Sequence, residues 1–407
     1  MGQAGTARAA NPAPVREPST RLAAHESAVH SPLHPTPYWL ARLCAGVTHP
    51  EQFSEWSWPA LVQLALEHGV APLLYLQTRR LSLPQPASAE LKRIYRSNLA
   101  RNLALDHERV ALQAALMRQA GPVIPLKGPQ LATLLYGDPG ARQVADVDLL
   151  IRPEDLRAAD RVLTERGFTR EAAPLAQLQR CRDVCYARPA QNGGEFCVDL
   201  HLQLRPYGAV DALVTRVWQE GLTPENLLLY LCLNWMVHRW ARLQPLLDIV
   251  AFLRQPRCLD WGRLVATAQE LEWTAGVVHS LRFAAQLAGM DAPGREVGQF
   301  SGSTAPRWWA ERLLGRDVEQ LLERNRALDG PLGTLALLAC EKGIGGKLRL
   351  AGAILFPPRA SLRQMDAAGA SLPLPLHYAQ RAARKAGQTM KALAAARRTR
   401  QGSSRSS

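Results

Sequence analysis

The stretch VIPLKGPQLATLLYGDPGARQVADVDLLI, residues 123–151, decides how the chain folds. Residues 123–126 form a short apolar run bounded by turn residues, the pattern of a buried strand. Gly128 and Pro129 then open a helix that runs through Tyr136, because Pro is well tolerated in a first turn. Gly137-Asp138-Pro139-Gly140 stops that helix, and a second strand follows over 147–151. Pro153 starts another helix, which reaches about Arg166 and closes at Gly167. Further on, 184–188 and 196–202 read as two strands joined through Asn192-Gly193-Gly194, a hairpin turn. Residues 121–208 therefore form a small α/β unit.

The chemistry of this unit lies in its acidic residues. Asp146 and Asp148 stand two apart at the start of a strand, so both side chains leave on one face. Asp199 interrupts the apolar strand FCVDLHL (196–202), where a lone carboxylate needs a compensating partner. His201 projects from the same face as Asp199. An Asp-x-Asp alone is a weak signal, since N-capping or a solvated strand end explains it equally well. The order strand, Lys-Gly turn, helix, Asp-x-Asp strand, helix, hairpin with a third Asp is more specific. Three carboxylates brought together repel by about 4 kcal/mol per pair at ~4 Å and an effective dielectric near 20. Either some protonate or divalent cations bind, and hard oxygen ligands with room for phosphates favour Mg²⁺. Two such ions among Asp146, Asp148 and Asp199 would make a phosphoryl- or nucleotidyl-transfer site.

Leu126-Lys127-Gly128, then Leu131, Tyr136, Arg142 and Asp146-Val147-Asp148-Leu149-Leu150, resemble the bacterial "uncharacterised nucleotidyltransferase" family. That family is grouped with the DNA polymerase β-like nucleotidyltransferases. Val198-Asp199-Leu200-His201 matches its second motif, and HRWARLQPLLDIVAFL (238–253) is a third match, so the likeness runs from about 38 to 385. The resemblance implies an α+β fold: a small mixed-sheet nucleotidyltransferase core embedded between helical regions. It also implies an NTP as substrate, Asp146, Asp148 and Asp199 as metal ligands, and Asp199 helping to deprotonate the acceptor hydroxyl. Gly128 would let the backbone approach the phosphates. The superfamily usually has Gly-Ser or Gly-Gly in that turn; here Lys127 supplies a charge in place of a hydroxyl. Arg142 either binds phosphate or neutralises the cluster. His201 is either a substrate-binding residue or a satisfied histidine behind the site, and His238, Arg239 and Asp248 either brace the core or touch substrate.

Outward from the core, the pattern is helical on both sides. Residues 37–120 form an N-terminal helical region, with 89–120 as one long amphipathic helix or two and Leu103, Leu105, Val110, Leu112 and Leu116 on its apolar side. Residues 209–330 form a second helical region whose strongest segments are 227–254 and 261–287, with 308–328 weaker. Residues 1–36 lack periodicity and read as disordered, and 331–407 as a helical extension with a basic tail. Lys342-Gly343-Ile344-Gly345-Gly346-Lys347 lacks the spacing of a phosphate loop and reads as a loop between helices.

Composition limits the remaining choices. The 407 residues are 47% hydrophobic and 21% charged, which excludes a wholly disordered protein. Seven cysteines without CxxC pairs point to reduced thiols, and Cys181 and Cys185, four apart, read as packing residues. No apolar run reaches the ~18 residues of a membrane span, and no signal peptide is visible, so a cytoplasmic protein is expected. The formal net charge is +14, and eight basic side chains with no acidic one follow Asp366. Such a tail draws polyanions weakly, or serves only solubility. The expected activity is transfer of NMP from NTP to an unidentified hydroxyl or phosphate acceptor, a small molecule, sugar or peptide. Two alternatives stand beside it: a toxin-like transferase that adenylylates a protein, and a non-catalytic nucleotide- or RNA-binding protein using the basic tail.

Overall fold

The computed structural model describes residues 35–47; 56–290 except 171–172, 180, 191–193, 205–211 and 257; 307–356 except 325–327 and 342; and 375–390 except 381, 386 and 389. The expected disorder before 35, the hairpin turn at Asn192-Gly193 and the end of the basic tail lie outside these residues. No helix among the described residues is long and apolar enough to cross a membrane.

The fold is α+β and mostly helical, with one five-stranded mixed sheet. The strands are β1 (Ile124–Lys127), β2 (Asp146–Leu150), β3 (Thr169–Arg170), β4 (Asp183–Pro189) and β5 (Glu195–His201). Their order is β1-β2-β5-β4-β3. Only β2 and β5 are parallel; β1 with β2, β4 with β5 and β3 with β4 are antiparallel. Strand β3 was not visible in the sequence, because two residues carry no period-2 signal.

The helices before and within the sheet are α1 (Pro37–Cys44), α2 (Trp58–Glu67), α3 (Ala71–Thr78), α4 (Gln85–Gln119), α5 (Pro129–Tyr136), α6 (Leu156–Glu165) and α7 (Leu175–Leu178). After it come α8 (Ala212–Glu220), α9 (Pro224–Val237), α10 (Leu243–Leu253), α11 (Trp261–Glu270) and α12 (Thr274–Ala288). Further helices span Arg307–Leu314, Val318–Glu323, Pro331–Cys340 and Gly343–Leu355. The last one corrects the loop expected around Gly343-Ile344-Gly345-Gly346.

Alternation along the strands separates two cores. Val147, Leu149, Val184, Tyr186, Val198 and Leu200 turn to one side and pack with Leu105, Leu112 and Leu116 of α4 and Leu163 of α6. Leu126 and Leu150 instead join a larger cluster that unites helices from Leu40 to Cys340. The sheet thus has a largely apolar face, and a second face where Leu150 meets the helices and the carboxylates stand. This alternation is what a one-residue slip would reverse, so burial on both faces holds the register.

Helix α4 is one unbroken rod that serves both cores, with Ala87 and Leu91 in the larger cluster and Leu105, Leu112 and Leu116 in the sheet's core. Leu103 and Val110, expected on its apolar side, are 55% and 52% exposed. Their places in the buried stripe are taken by Asn98 and Asn102, which the helical spacing alone could not assign. Asn98 Nδ2 donates to the carbonyls of Gly140 (2.9 Å) and Arg142 (3.0 Å). Asn102 Nδ2 donates to those of Pro139 (2.6 Å) and Arg142 (2.8 Å). Arg101 Nη2 adds a bond to the Ala145 carbonyl at 2.9 Å. Four backbone carbonyls of the 139–145 loop are thereby held by one helix, and the loop delivers β2 to its place. Replacing Asn102 by Ala leaves buried carbonyls without this donor, a cost of about 1–3 kcal/mol. A drop of that size in the urea midpoint with an unchanged slope is the expected outcome.

The segment 227–254, expected as continuous helix, breaks after α9. Arg239 and Trp240 take left-handed φ angles of 55° and 57°. Bulky residues hold this conformation only when their surroundings compel it. Trp240 is fully buried and its indole donates to Ser280 Oγ at 3.2 Å, while Arg239 Nη1 donates to the Asp329 carbonyl at 2.8 Å. Tertiary packing therefore outweighs local helix propensity, and α10 turns back along α9.

Candidate active site

The carboxylates converge through strand register. Asp148 on β2 pairs with Asp199 on β5, and Asp146 pairs with Cys197, so parallel neighbours present their side chains to one face. His201, two residues after Asp199, joins them. One ligand atom each from Asp148, Asp199 and His201 lie within 4.8 Å of one another. Asp148 is almost completely buried, at 1% exposed, and His201 Nε2 is 2.7 Å from its Oδ1.

Lys127 enters from the other side. It pairs with Asp148 across β1 and β2, after an irregularity in the ladder between Pro125 and Lys127. Its Nζ lies 3.1 Å from Asp148 Oδ1 and 3.9 Å from Asp146 Oδ1. Gly128 follows with φ at +133°, and a Cβ there would come within 2.9 Å of Gln130 Oε1. Only glycine makes this strand-to-helix turn without strain.

Electrostatics follow from the crowding. Burial pushes the Asp146 carboxyl up to about 6; Asp148 adds to the rise and Lys127 opposes it. Burial works against ionisation at Asp148 too, yet Lys127 and His201 outweigh it and hold this carboxyl down at about 2. Asp199 is raised by burial and by Asp148. Burial alone would lower Lys127, but Asp148, Tyr230 and Asp146 hold its ammonium protonated beyond its usual range. Asp148 Oδ2 is buried and has no hydrogen-bond partner. A buried carboxylate oxygen left this way, beside a second carboxylate, is a costly arrangement in the absence of a cation. The donor set of carboxylate oxygens and one imidazole suits a divalent ion.

Cations gather around the same face. Burial, together with Lys127, Arg182, Arg242 and Arg142, holds His238 down at about 4. Tyr230 of α9 is buried within reach of Lys127, Asp148, Arg142 and Arg182. Neither Tyr230 nor Arg182 carried a sequence signal, since each becomes significant only when α9 and the β4 strand meet the sheet. Cys185 differs from its expected packing role: it is exposed and lies on β4 opposite Asp199. Partial burial and Asp199 push this thiol up to about 12. Tyr207, where the sequence reading looks for the acceptor pocket, lies outside the described residues.

Arg142 is engaged behind the site. Its Nε donates to Asp248 Oδ2 at 3.0 Å, in a buried ion pair that Tyr136 (2.8 Å) and Gln244 (2.9 Å) complete on Oδ1. This network ties α5 and the loop before β2 to α10 through Asp248. The Arg142 guanidinium is thus engaged by Asp248, a carboxylate outside the acidic cluster.

The family question is decided by the match of a protein-family model, described as uncharacterised nucleotidyltransferase, to residues 54–289, more than half of the chain. The chain belongs to this family. The match begins later and ends earlier than the resemblance read from the motifs, but contains α4, the whole sheet and helices α8 to α12. No curated protein and no solved structure matches the chain. Membership makes the chain a nucleotidyltransferase by family, and Asp148, Asp199 and His201, where Asp146, Asp148 and Asp199 were expected, form a cluster that could hold a metal ion.

Two outcomes follow from the geometry. Asp248→Ala leaves the Arg142 guanidinium buried and uncompensated, and a loss of about 3–5 kcal/mol in urea unfolding is expected. Asp146 has a folded-state pKa of about 6 against a reference of 3.8, so the fold binds its proton more tightly than the unfolded chain. The stability from this group is complete below the reference value and disappears as pH rises through about 6. Discounted for a side chain 30% exposed, its size is about 1–2 kcal/mol. Urea titrations across pH 4–7 without divalent ions should show this loss in the native chain and not in Asp146→Asn. Equal pH dependence in both proteins removes the assignment.

Proposed function

We propose that the protein transfers NMP from an NTP to a hydroxyl or phosphate acceptor, with release of pyrophosphate, and that it depends on Mg²⁺. The observation that carries this reading is the side-by-side placement of Asp148 and Asp199 on parallel strands, with Asp146 two residues before and the Lys127-Gly128 turn beside them. Asp148, Asp199 and His201, with Asp146 adjoining, would hold the cation. A bound Mg²⁺ would screen the phosphates and make the acceptor hydroxyl more acidic.

The chain's own groups supply the remainder. Lys127 offers a fixed positive charge to phosphate oxygens as negative charge builds up on the leaving pyrophosphate. Gly128 keeps that turn free of a side chain, so the polyphosphate can approach the backbone before α5. Asp199, raised by burial and by Asp148, is suited to accept the acceptor's proton as its oxygen attacks the α-phosphorus in line. Arg182, Arg242 and Lys127 make the surroundings of His238 positive, which favours an anionic substrate. The acceptor would be a small molecule, a sugar or a peptide, and the basic tail would add weak attraction for polyanions.

Calorimetry with each NTP, with and without Mg²⁺, tests the site and names the base together. Binding should require Mg²⁺ and vanish in Asp148→Asn. With a competent acceptor, Asp146→Ala and Asp199→Ala should reduce α-³²P transfer by about 10²-fold or more while circular dichroism shows intact folding. Nucleotide binding that ignores both the metal and Asp148→Asn would remove the transferase reading.

A further inference from the structure

The Asp146–Lys127–Asp148 bridge has a consequence for how many metal ions the site can take. Two carboxylates two residues apart on a strand are a ready bridge for a cation, and here the bridge is closed by an ammonium. Lys127 Nζ lies 3.1 Å from Asp148 Oδ1 and 3.9 Å from Asp146 Oδ1. The side chain is 19% exposed, so water does not screen it as it would a surface lysine. The irregularity between Pro125 and Lys127 in the β1–β2 ladder is the kind of feature that re-aims a side chain, and it places Lys127 directly opposite Asp148.

Asp148 divides its oxygens accordingly. Oδ1 is shared by Lys127 and His201, whereas buried Oδ2 has no hydrogen-bond partner. The three-donor cluster suited to a metal contains Asp148, Asp199 and His201, and does not contain Asp146. One side of Asp148 is thus open to a divalent ion, and the other is already neutralised by the chain itself. Three carboxylates, one ammonium and one divalent ion balance in formal charge. A second divalent ion would have to sit against the ammonium.

We propose that Lys127 is a built-in replacement for the second cation, so that the site takes a single divalent ion, held by Asp148, Asp199 and His201. The proposal rests on the metal-dependent reading above and narrows the two-ion arrangement expected from the three carboxylates. In it, Asp146 positions Lys127 instead of binding metal, and the ammonium meets the phosphate oxygens that a second ion would otherwise neutralise. A lysine suits this role because its charge is compact and its stem long enough to reach between the two strands.

Counting bound Mn²⁺ by equilibrium titration of the full chain, followed by the electron-paramagnetic-resonance signal of the free ion, tests this without any turnover. The native protein should bind one Mn²⁺, and Lys127→Ala should bind two, the second lost again in Lys127→Ala/Asp146→Asn. Asp146→Asn alone should keep one ion with affinity within about threefold of native, and Asp148→Asn should bind none. Lys127→Gln serves as the second variant if the alanine fails to fold, and the native and Asp146→Asn counts decide the matter without either. Two ions in the native protein, one ion in the Lys127 variants, or loss of the ion in Asp146→Asn would overturn the proposal while leaving the metal-dependent reading intact. No ion in the native protein would instead overturn that reading.

Discussion

Repulsion among Asp146, Asp148 and Asp199 is the constraint around which the rest of the structure is arranged. The strand register that brings Asp148 beside Asp199 also buries Val147, Leu149, Val198 and Leu200 on the opposite face. The apolar burial and the acidic cluster are therefore one structural decision, since a slip that relieved the charges would expose the core. What the sheet stabilises on one face offsets what it costs on the other. Lys127 and His201 relieve part of that cost at Asp148, and its buried Oδ2 is left without a hydrogen-bond partner.

Such a cluster works only if its strands are held in place, and most of the molecule serves that end. Helix α4 lies along the sheet's apolar face and uses Asn98, Arg101 and Asn102 to hold the loop that precedes β2. The Arg142–Asp248 pair, with Tyr136 and Gln244, ties the same region to the helices on the other side. Buried polar contacts of this kind add modest net stability but are demanding in geometry, and so define position more than they add strength. The carboxylates are held between two layers of helix that could not shift independently without breaking these networks.

The site was legible in the sequence to the extent that it follows local rules. Asp146 and Asp148 share a face because strand side chains alternate, and Asp199 stood out because a carboxylate among apolar neighbours needs a reason. Lys127 and Gly128 could be named from the turn they form. The pairing of Arg142 with Asp248 could not be read, because the two are 106 residues apart in the chain. Asn98 and Asn102 passed as ordinary polar positions of an amphipathic helix, with Leu103 and Val110 taken for core. Cys185 lies in the strand expected over 184–188, but its place opposite Asp199 depends on a neighbouring strand.

The amino-acid sequence by itself determined the order of the main elements around the site, the face on which each carboxylate leaves its strand, and the family. These depend on spacing and on turn residues within a few positions, where sterics and periodicity act directly. Tertiary structure alone decided that β2 and β5 are parallel neighbours, that Lys127 closes the bridge between Asp146 and Asp148, and that the helix expected over 227–254 turns at Arg239 and Trp240. Each of these depends on burial or charge contributed by distant segments, and such contributions have no local signature in the chain.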